Sequence, residues 1–213
     1  MHRPSSLHDN RKPGKRLALA YVNLNRGIVQ GIMKLAIYSL LALSALPLTA
    51  QPSVPQRLAP YVPSPKEIIE QMLESANVKR GEVVVDLGCG DGRILITAVQ
   101  KFGAKAVGVE LNPKLAKEAT EMIARLGLQN HAKVIRGDMF EVDLTQADVV
   151  TLYLTTNFNE TLRPKLEQSL RPGARVVSHD YAIRGWNPVD VQEVFVHNRR
   201  HKIYLYQIGP RKK

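Results

Sequence analysis

The stretch Val83-Val84-Val85-Asp86-Leu87-Gly88-Cys89-Gly90-Asp91-Gly92 constrains this chain more than any other. Its unbroken β-branched run describes a strand buried on both faces. Glycine at alternate positions then turns the backbone sharply, and Arg93 to Phe102 continues at helical spacing. A buried strand that turns through glycines into a helix opens a βαβ unit, and the sequence downstream repeats the alternation. Strands are expected at Ala106–Glu110, Lys133–Arg136, Ala147–Leu154 and Arg175–Ser178. Helices are expected at about Pro113–Leu126, ending at Gly127, and at about Asn159–Leu170. Val191–His197 and Lys202–Ile208 read as a closing pair of strands. The expected fold is α/β: a Rossmann-like, doubly wound, mostly parallel sheet of about seven strands, with its ligand at the carboxyl ends of the strands.

The chain of 213 residues has room for one such domain and a short extension. Residues 1–32 are polar and basic without apolar periodicity, and read as a disordered arm or a mis-assigned upstream extension. Residues 33–50 have a short basic start, an apolar run of about 14 residues and a small residue before a polar break, as a signal peptide does. Leu48 is large for the position three residues before that break, which leaves cleavage open. The run is shorter than the roughly 20 residues of a spanning helix. Either Met33 is the true start, or residues 1–32 precede an uncleaved membrane anchor. An organelle transit peptide is a third reading. The expected location is therefore membrane-associated or exported, with the side of the membrane open. Residues 51–65 form a proline-rich linker, residues 66–208 the domain, and residues 209–213 a basic tail. Where the linker ends, Ser64-Pro65-Lys66-Glu67 has the form of a capping box opening a helix through Ile68, Ile69, Met72, Leu73 and Ala76.

The chemistry gathers at the glycine loop. Its G-x-G-x-G pattern differs from the G-x-G-x-x-G of dinucleotide binders, and Asp86 and Asp91 flank it. Carboxylates so placed repel a pyrophosphate. They suit S-adenosyl-L-methionine, whose ammonium and sulfonium are cationic and whose carboxylate suits the backbone N–H groups of Gly88, Gly90 and Gly92. Glu110 ends the second strand, where its two oxygens can chelate ribose hydroxyls. Asp138 follows the third strand in Gly137-Asp138-Met139. Its carboxylate can accept from an adenine amino group while the N–H of Met139 meets the ring; alone, it would read as a turn residue. The single cysteine, Cys89, has no base beside it and reads as a small loop residue. No metal is expected.

Asp86-Leu-Gly-Cys-Gly-Asp-Gly-Arg93 followed by Val109-Glu110-Leu111-Asn112-Pro113 resembles the class I S-adenosylmethionine-dependent methyltransferases. More narrowly, the chain resembles the protein-lysine N-methyltransferases of the ATP synthase c-subunit and adenine nucleotide translocase type, with their bacterial relatives. Leu162-Arg-Pro-Lys-Leu166, Pro172-Gly-Ala-Arg-Val-Val-Ser178 and Trp186 extend the likeness, which covers roughly residues 58–208. Those proteins carry an N-terminal membrane segment and then a short motif before the catalytic domain. Leu35–Ala50 and Tyr61-Val62-Pro63-Ser64 occupy these places here. The resemblance implies cofactor contacts at Asp86, Gly88, Gly90, Glu110 and Asp138, and a role for Tyr61 to Ser64 near the catalytic cleft. It also implies a protein substrate, which for this type can be a membrane protein. The chain departs from many amino-group methyltransferases after the fourth strand. Tyr153-Leu-Thr-Thr-Asn157 stands where an Asn/Asp-Pro-Pro-aromatic motif is common. Tyr153 or Asn157 could accept from an incoming amine there, or could be packing and capping residues.

Transfer to a lysine needs a neutral amine. Deprotonation at pH 7 costs on the order of 4–5 kcal/mol from an unperturbed pKa of about 10.4. A neighbouring sulfonium and burial both lower that pKa, so a dedicated base is not required. His179 and Asp180, after the fifth strand, are the best titratable candidates, though a plain hydrogen-bonded pair is the blander account. Methylation of RNA or a small molecule on the same fold is an alternative. So is a tethered cofactor-binding module without turnover. The net charge of +11 invites a nucleic-acid partner, but much of the excess lies in residues 3–34 and 199–213, as tails rather than a reading face. A nucleic-acid partner is disfavoured.

Overall fold

A computed structural model describes residues 61–210. The expectations for residues 1–32, 33–50, the linker before Tyr61 and the last three residues lie outside this range. Among the described residues no helix is long and apolar enough to cross a membrane.

The elements run α1 (Lys66–Ser75), β1 (Val83–Leu87), α2 (Arg93–Phe102), β2 (Lys105–Glu110), α3 (Pro113–Arg125), β3 (Ala132–Arg136), β4 (Val149–Leu152), α4 (Thr156–Ser169), β5 (Arg175–His179), β6 (Asp190–Val196) and β7 (Arg199–Gln207). They build one seven-stranded sheet in the order β3-β2-β1-β4-β5-β7-β6. The first five pair in parallel, while β7 enters antiparallel beside β5 and carries β6 at the edge. The strand order reverses between β1 and β4, so the crevice above their carboxyl ends is where such a sheet places its ligand.

Burial on both faces explains the unbroken apolar strands. Val84 packs with α1 and α2 through Ile68, Ile69, Met72, Leu73, Leu95 and Ala98 on one face. Val85 and Leu87 pack with α4 through Leu162 and Leu166 on the other. Residues adjacent in a strand therefore serve opposite halves of the core.

Gly108 in β2 is a close-packing position. A Cβ there would lie 2.5 Å from Cys89 Sγ and 2.6 Å from Leu95 Cδ1. Gly108→Ala is expected to cost about 1–3 kcal/mol by overpacking. A fall in the denaturant midpoint at unchanged slope checks this. An unshifted midpoint would show that Cys89 and Leu95 move aside freely.

The start of α1 corrects the capping-box expectation. Pro65 occupies the N-cap, and no side chain caps the helix. Ser64 is turned away from its own helix into the protein, where its Oγ lies 3.0 Å from His179 Nδ1. A buried long-range partner has taken the hydroxyl that the local pattern assigns to the helix.

Candidate active site

The glycine loop crosses the top of β1 and is tied to β2. Gly88 and Cys89 donate their N–H groups to Val109 O at 2.9 and 3.0 Å. Gly88, Gly90 and Gly92 all have positive φ, at 88°, 53° and 81°, which lets the chain turn directly into α2. Cys89 points under the loop into the core against Gly108 and Leu95. Burial, reinforced by the carboxylates of Asp86 and Glu110, pushes its thiol far above the ordinary range. It is a packing residue, not a nucleophile.

Above the loop lies a cavity of about 360 Å³, bordered by Asp86, Gly88, Gly90 and Glu110 on one side and by Tyr61, Tyr153, Phe158 and Tyr181 elsewhere. This is within the usual size of small-molecule sites. Glu110 is held by both oxygens: Oε2 accepts from Gly90 N at 2.9 Å and Oε1 from Asn112 N at 2.8 Å. Its orientation is thereby set before any ligand arrives. Asp86 accepts from Thr151 Oγ1 at 2.6 Å, across the β1–β4 register pair. Burial raises the Asp86 carboxyl to about 7 against the Thr151 hydrogen bond, and the charges of Glu110 and Asp91 add to the rise. Among the described residues no ion pair reaches Asp86.

Two buried carboxylates without a cation fit a cationic ligand. The ammonium of S-adenosylmethionine would neutralise the charge that the fold leaves uncompensated beside Asp86, and ribose hydroxyls suit Glu110. Asp91, which also borders the cavity, differs from these two in having a cation of its own. Burial pushes the Asp91 carboxyl up, but hydrogen bonds and charge from Arg93 outweigh it and hold it below its usual value. Arg93 Nε meets Asp91 Oδ1 at 2.9 Å and its Nη2 meets Oδ2 at 2.7 Å. Arg93 thus already neutralises Asp91.

The same arginine fastens the segment before α1. Its Nη1 donates to Ser64 O at 3.0 Å. Tyr61 lies over Gly90, where a Cβ would come within 2.5 Å of its ring. Tyr61, Val62, Pro63 and Ser64 all border the cavity, so this segment straps the glycine loop.

The remaining candidates divide. Met139, Asn112 and Tyr153 border the cavity. Asn112 Oδ1 also caps α3, accepting from Lys114 N at 2.9 Å. Asp138 Oδ1 accepts from Phe140 N at 2.9 Å, closing the turn that carries Met139 inward. Gly92 N donates to Cys89 O at 2.8 Å, so this glycine serves the turn. Tyr153 stacks on His179 with ring centroids 3.9 Å apart. Asn157 is exposed in the first turn of α4 and is not among the residues bordering the cavity. Two residues on, about 200° around the helix, Asn159 is the one turned inward. It is fully buried and donates to Ser178 Oγ and Tyr181 O.

The geometry has counterparts in known proteins. Residues 86–190 match the family described as the ANTKMT methyltransferase domain. The chain is 51% identical over 154 residues to a protein-lysine N-methyltransferase of Saccharolobus islandicus, covering 72% of this chain and 96% of that protein. It is 34% identical over 137 residues to the human lysine N-methyltransferase of the ATP synthase c-subunit, covering 64% of this chain but only 58% of the human protein. In structure it resembles an RNA methyltransferase from Salinibacter ruber solved with S-adenosyl-L-homocysteine. That match has a TM-score of 0.67 and 39% identity, covering 71% of this chain and 97% of the other.

Proposed function

We propose that this chain, which belongs to the ANTKMT-type methyltransferase family, methylates the side-chain amine of protein lysines. It is an S-adenosylmethionine-dependent methyltransferase. The observation that carries the lysine reading is the 51% identity with a protein-lysine N-methyltransferase along 96% of that protein's length. The cavity agrees with it. Beyond the carboxylates its border includes four aromatic side chains, Tyr61, Tyr153, Phe158 and Tyr181, and aromatic faces suit an aliphatic stem ending in a cation.

In this reading Asp86 holds the ammonium of the cofactor and Glu110 its ribose, while the N–H groups of Gly88, Cys89, Gly90 and Gly92, which the sequence suggested for its carboxylate, are spent on holding the loop itself. Asp138 and Met139 take the adenine end. When bound, the cofactor supplies a methyl group on a sulfonium, open to in-line displacement. The protein contributes alignment, which is a large term in such reactions. Arg93 keeps the loop and the strap together so that donor and acceptor sides stay in register.

Methylation of RNA is the second reading, favoured by the likeness to the Salinibacter ruber RNA methyltransferase. Incubating the full chain with methyl-labelled cofactor and a host-cell extract separates the two. Label that is lost to protease, kept through ribonuclease and recovered as methyl-lysine after acid hydrolysis is expected. Label confined to RNA would replace the lysine reading with the second.

A further inference from the structure

Behind the acceptor side of the cavity lies a line of hydrogen-bonding groups that cofactor binding does not use. Ser64 borders the cavity, and its Oγ sits 3.0 Å from His179 Nδ1. The other nitrogen, His179 Nε2, sits 2.9 Å from His201 Nδ1. That atom in turn lies 3.1 Å from Asp180 Oδ2. Asp180 Oδ2 accepts from Arg199 at 2.8 Å, and Arg199 is more than half exposed. Four side chains from three separate segments thus form one file from the cavity border to a surface ion pair.

The file is built for a neutral imidazole. His179 is fully buried, and Tyr153 stacks on its face. The groups around it are Ser64 from the strap, Tyr153 from the end of β4, Asp180 after β5, and His201 and Arg199 from β7. Burial, with help from His201 and Arg199 and against the pull of Asp180, lowers the His179 pKa to about 4. A neutral imidazole has one donor and one acceptor nitrogen, so it can take a proton on one side while releasing one on the other. The Arg199 guanidinium on Asp180 occupies the carboxylate oxygen that a metal would need.

We infer that Ser64, His179, His201 and Asp180 form a proton relay that withdraws a proton from the incoming lysine ammonium, leaving the neutral amine; this rests on the lysine reading above. An N–H bond of the lysine ammonium breaks, its electron pair stays on nitrogen to give the neutral amine, and the proton passes to Ser64 Oγ. The Ser64 hydroxyl proton moves to His179 Nδ1, and the proton on His179 Nε2 moves to His201 Nδ1, facing the Asp180 carboxylate. One proton is transferred in net, His179 changes tautomer without becoming charged, and the charge on His201 rests against Asp180. After the product leaves, the proton on His201 returns along the same file in reverse to water in the emptied cavity, which restores the starting tautomers. Ser64 is the group at the cavity; His179, His201 and Asp180 act through it.

The test is turnover of the full chain on poly-L-lysine at saturating cofactor from pH 7 to 10, wild type beside His179→Gln and Ser64→Ala. Glutamine can keep both hydrogen bonds of His179 but cannot exchange one proton for another across a ring. Expected is a kcat about 10²-fold lower than wild type near pH 7.5. The deficit should close about tenfold per pH unit toward the solution pKa of lysine, about 10.4. Cofactor affinity and thermal midpoint should stay unchanged. Ser64→Ala is expected to behave alike, and Ser64→Thr to recover activity at neutral pH. A deficit that is equal at every pH, or full activity of the glutamine variant, would overturn the relay while leaving the lysine reading intact. A wild type that binds cofactor yet never methylates poly-L-lysine would overturn both.

Discussion

Replacing Glu110 with alanine is expected to weaken S-adenosylmethionine binding by about 10²–10³-fold, the largest effect of any single change outside the glycines. Its carboxylate fixes the loop through Gly90 N and the start of α3 through Asn112 N, at 2.9 and 2.8 Å. Hydrogen bonds to a charged group contribute about 1.5–3 kcal/mol each. Losing these ties and the ribose contacts together corresponds to about 3–4 kcal/mol, or that fold-change in affinity. Glu110→Gln keeps the shape and one acceptor oxygen, so it should fall between. Calorimetric titration of the full chain with the cofactor measures both. A loss below about fivefold in the alanine variant would show that Glu110 braces the loop without meeting the ligand.

Cofactor affinity should also depend steeply on pH through Asp86. Burial raises its carboxyl to about 7, so the cofactor-free site holds a proton through most of the acidic range. An ammonium prefers the ionised form, and binding below pH 7 must expel that proton. The apparent affinity is therefore expected to rise about tenfold per pH unit from 5 to 7, about 10²-fold in all. It should level off above 7 and decline where the ligand's own α-amino group deprotonates, about pH 8. Asp86→Asn should flatten the acid limb at a lower affinity. The cofactor-free protein carries the opposite dependence. The folded-state pKa exceeds the unfolded one, so this group favours the fold fully below about pH 4. That contribution disappears as pH rises through 7. Thermal midpoints at pH 6 and 8, with and without cofactor, should diverge accordingly; a pH-independent affinity would mean that Asp86 is ionised before the cofactor arrives.

The loop side of the candidate site was legible because its residues are local. Val83 to Gly92 is contiguous, Glu110 closes the next strand, and burial on both faces is written into the apolar runs. Parallel strands and the closing pair were readable for the same reason. The acceptor half is not local. Ser64 and His179 are separated by 115 residues, and no periodicity links them. Locally, Ser64-Pro65-Lys66-Glu67 reads as a helix cap, and only the fold reveals that His179 has taken the hydroxyl. Asn157 and Asn159 differ by two residues, and the phase of α4 decides which one turns inward. Asp91 belonged to the loop in sequence, but Arg93, two residues later, neutralises it. His201 became visible only because β7 inserts between β5 and β6, bringing its inward face against His179 and Asp180.

The contact of Cys89 and Leu95 with Gly108 bears on how such a sequence can drift. The space for a side chain at residue 108 is already filled by the thiol from the loop and the leucine from the helix. Trimming residue 89 to alanine first would open room that a later methyl group at residue 108 could occupy. Taken in the reverse order, the intermediate would be overfilled and less stable. Substitutions at these neighbouring positions should therefore be non-additive, and the order in which they occur would decide which lineages stay folded.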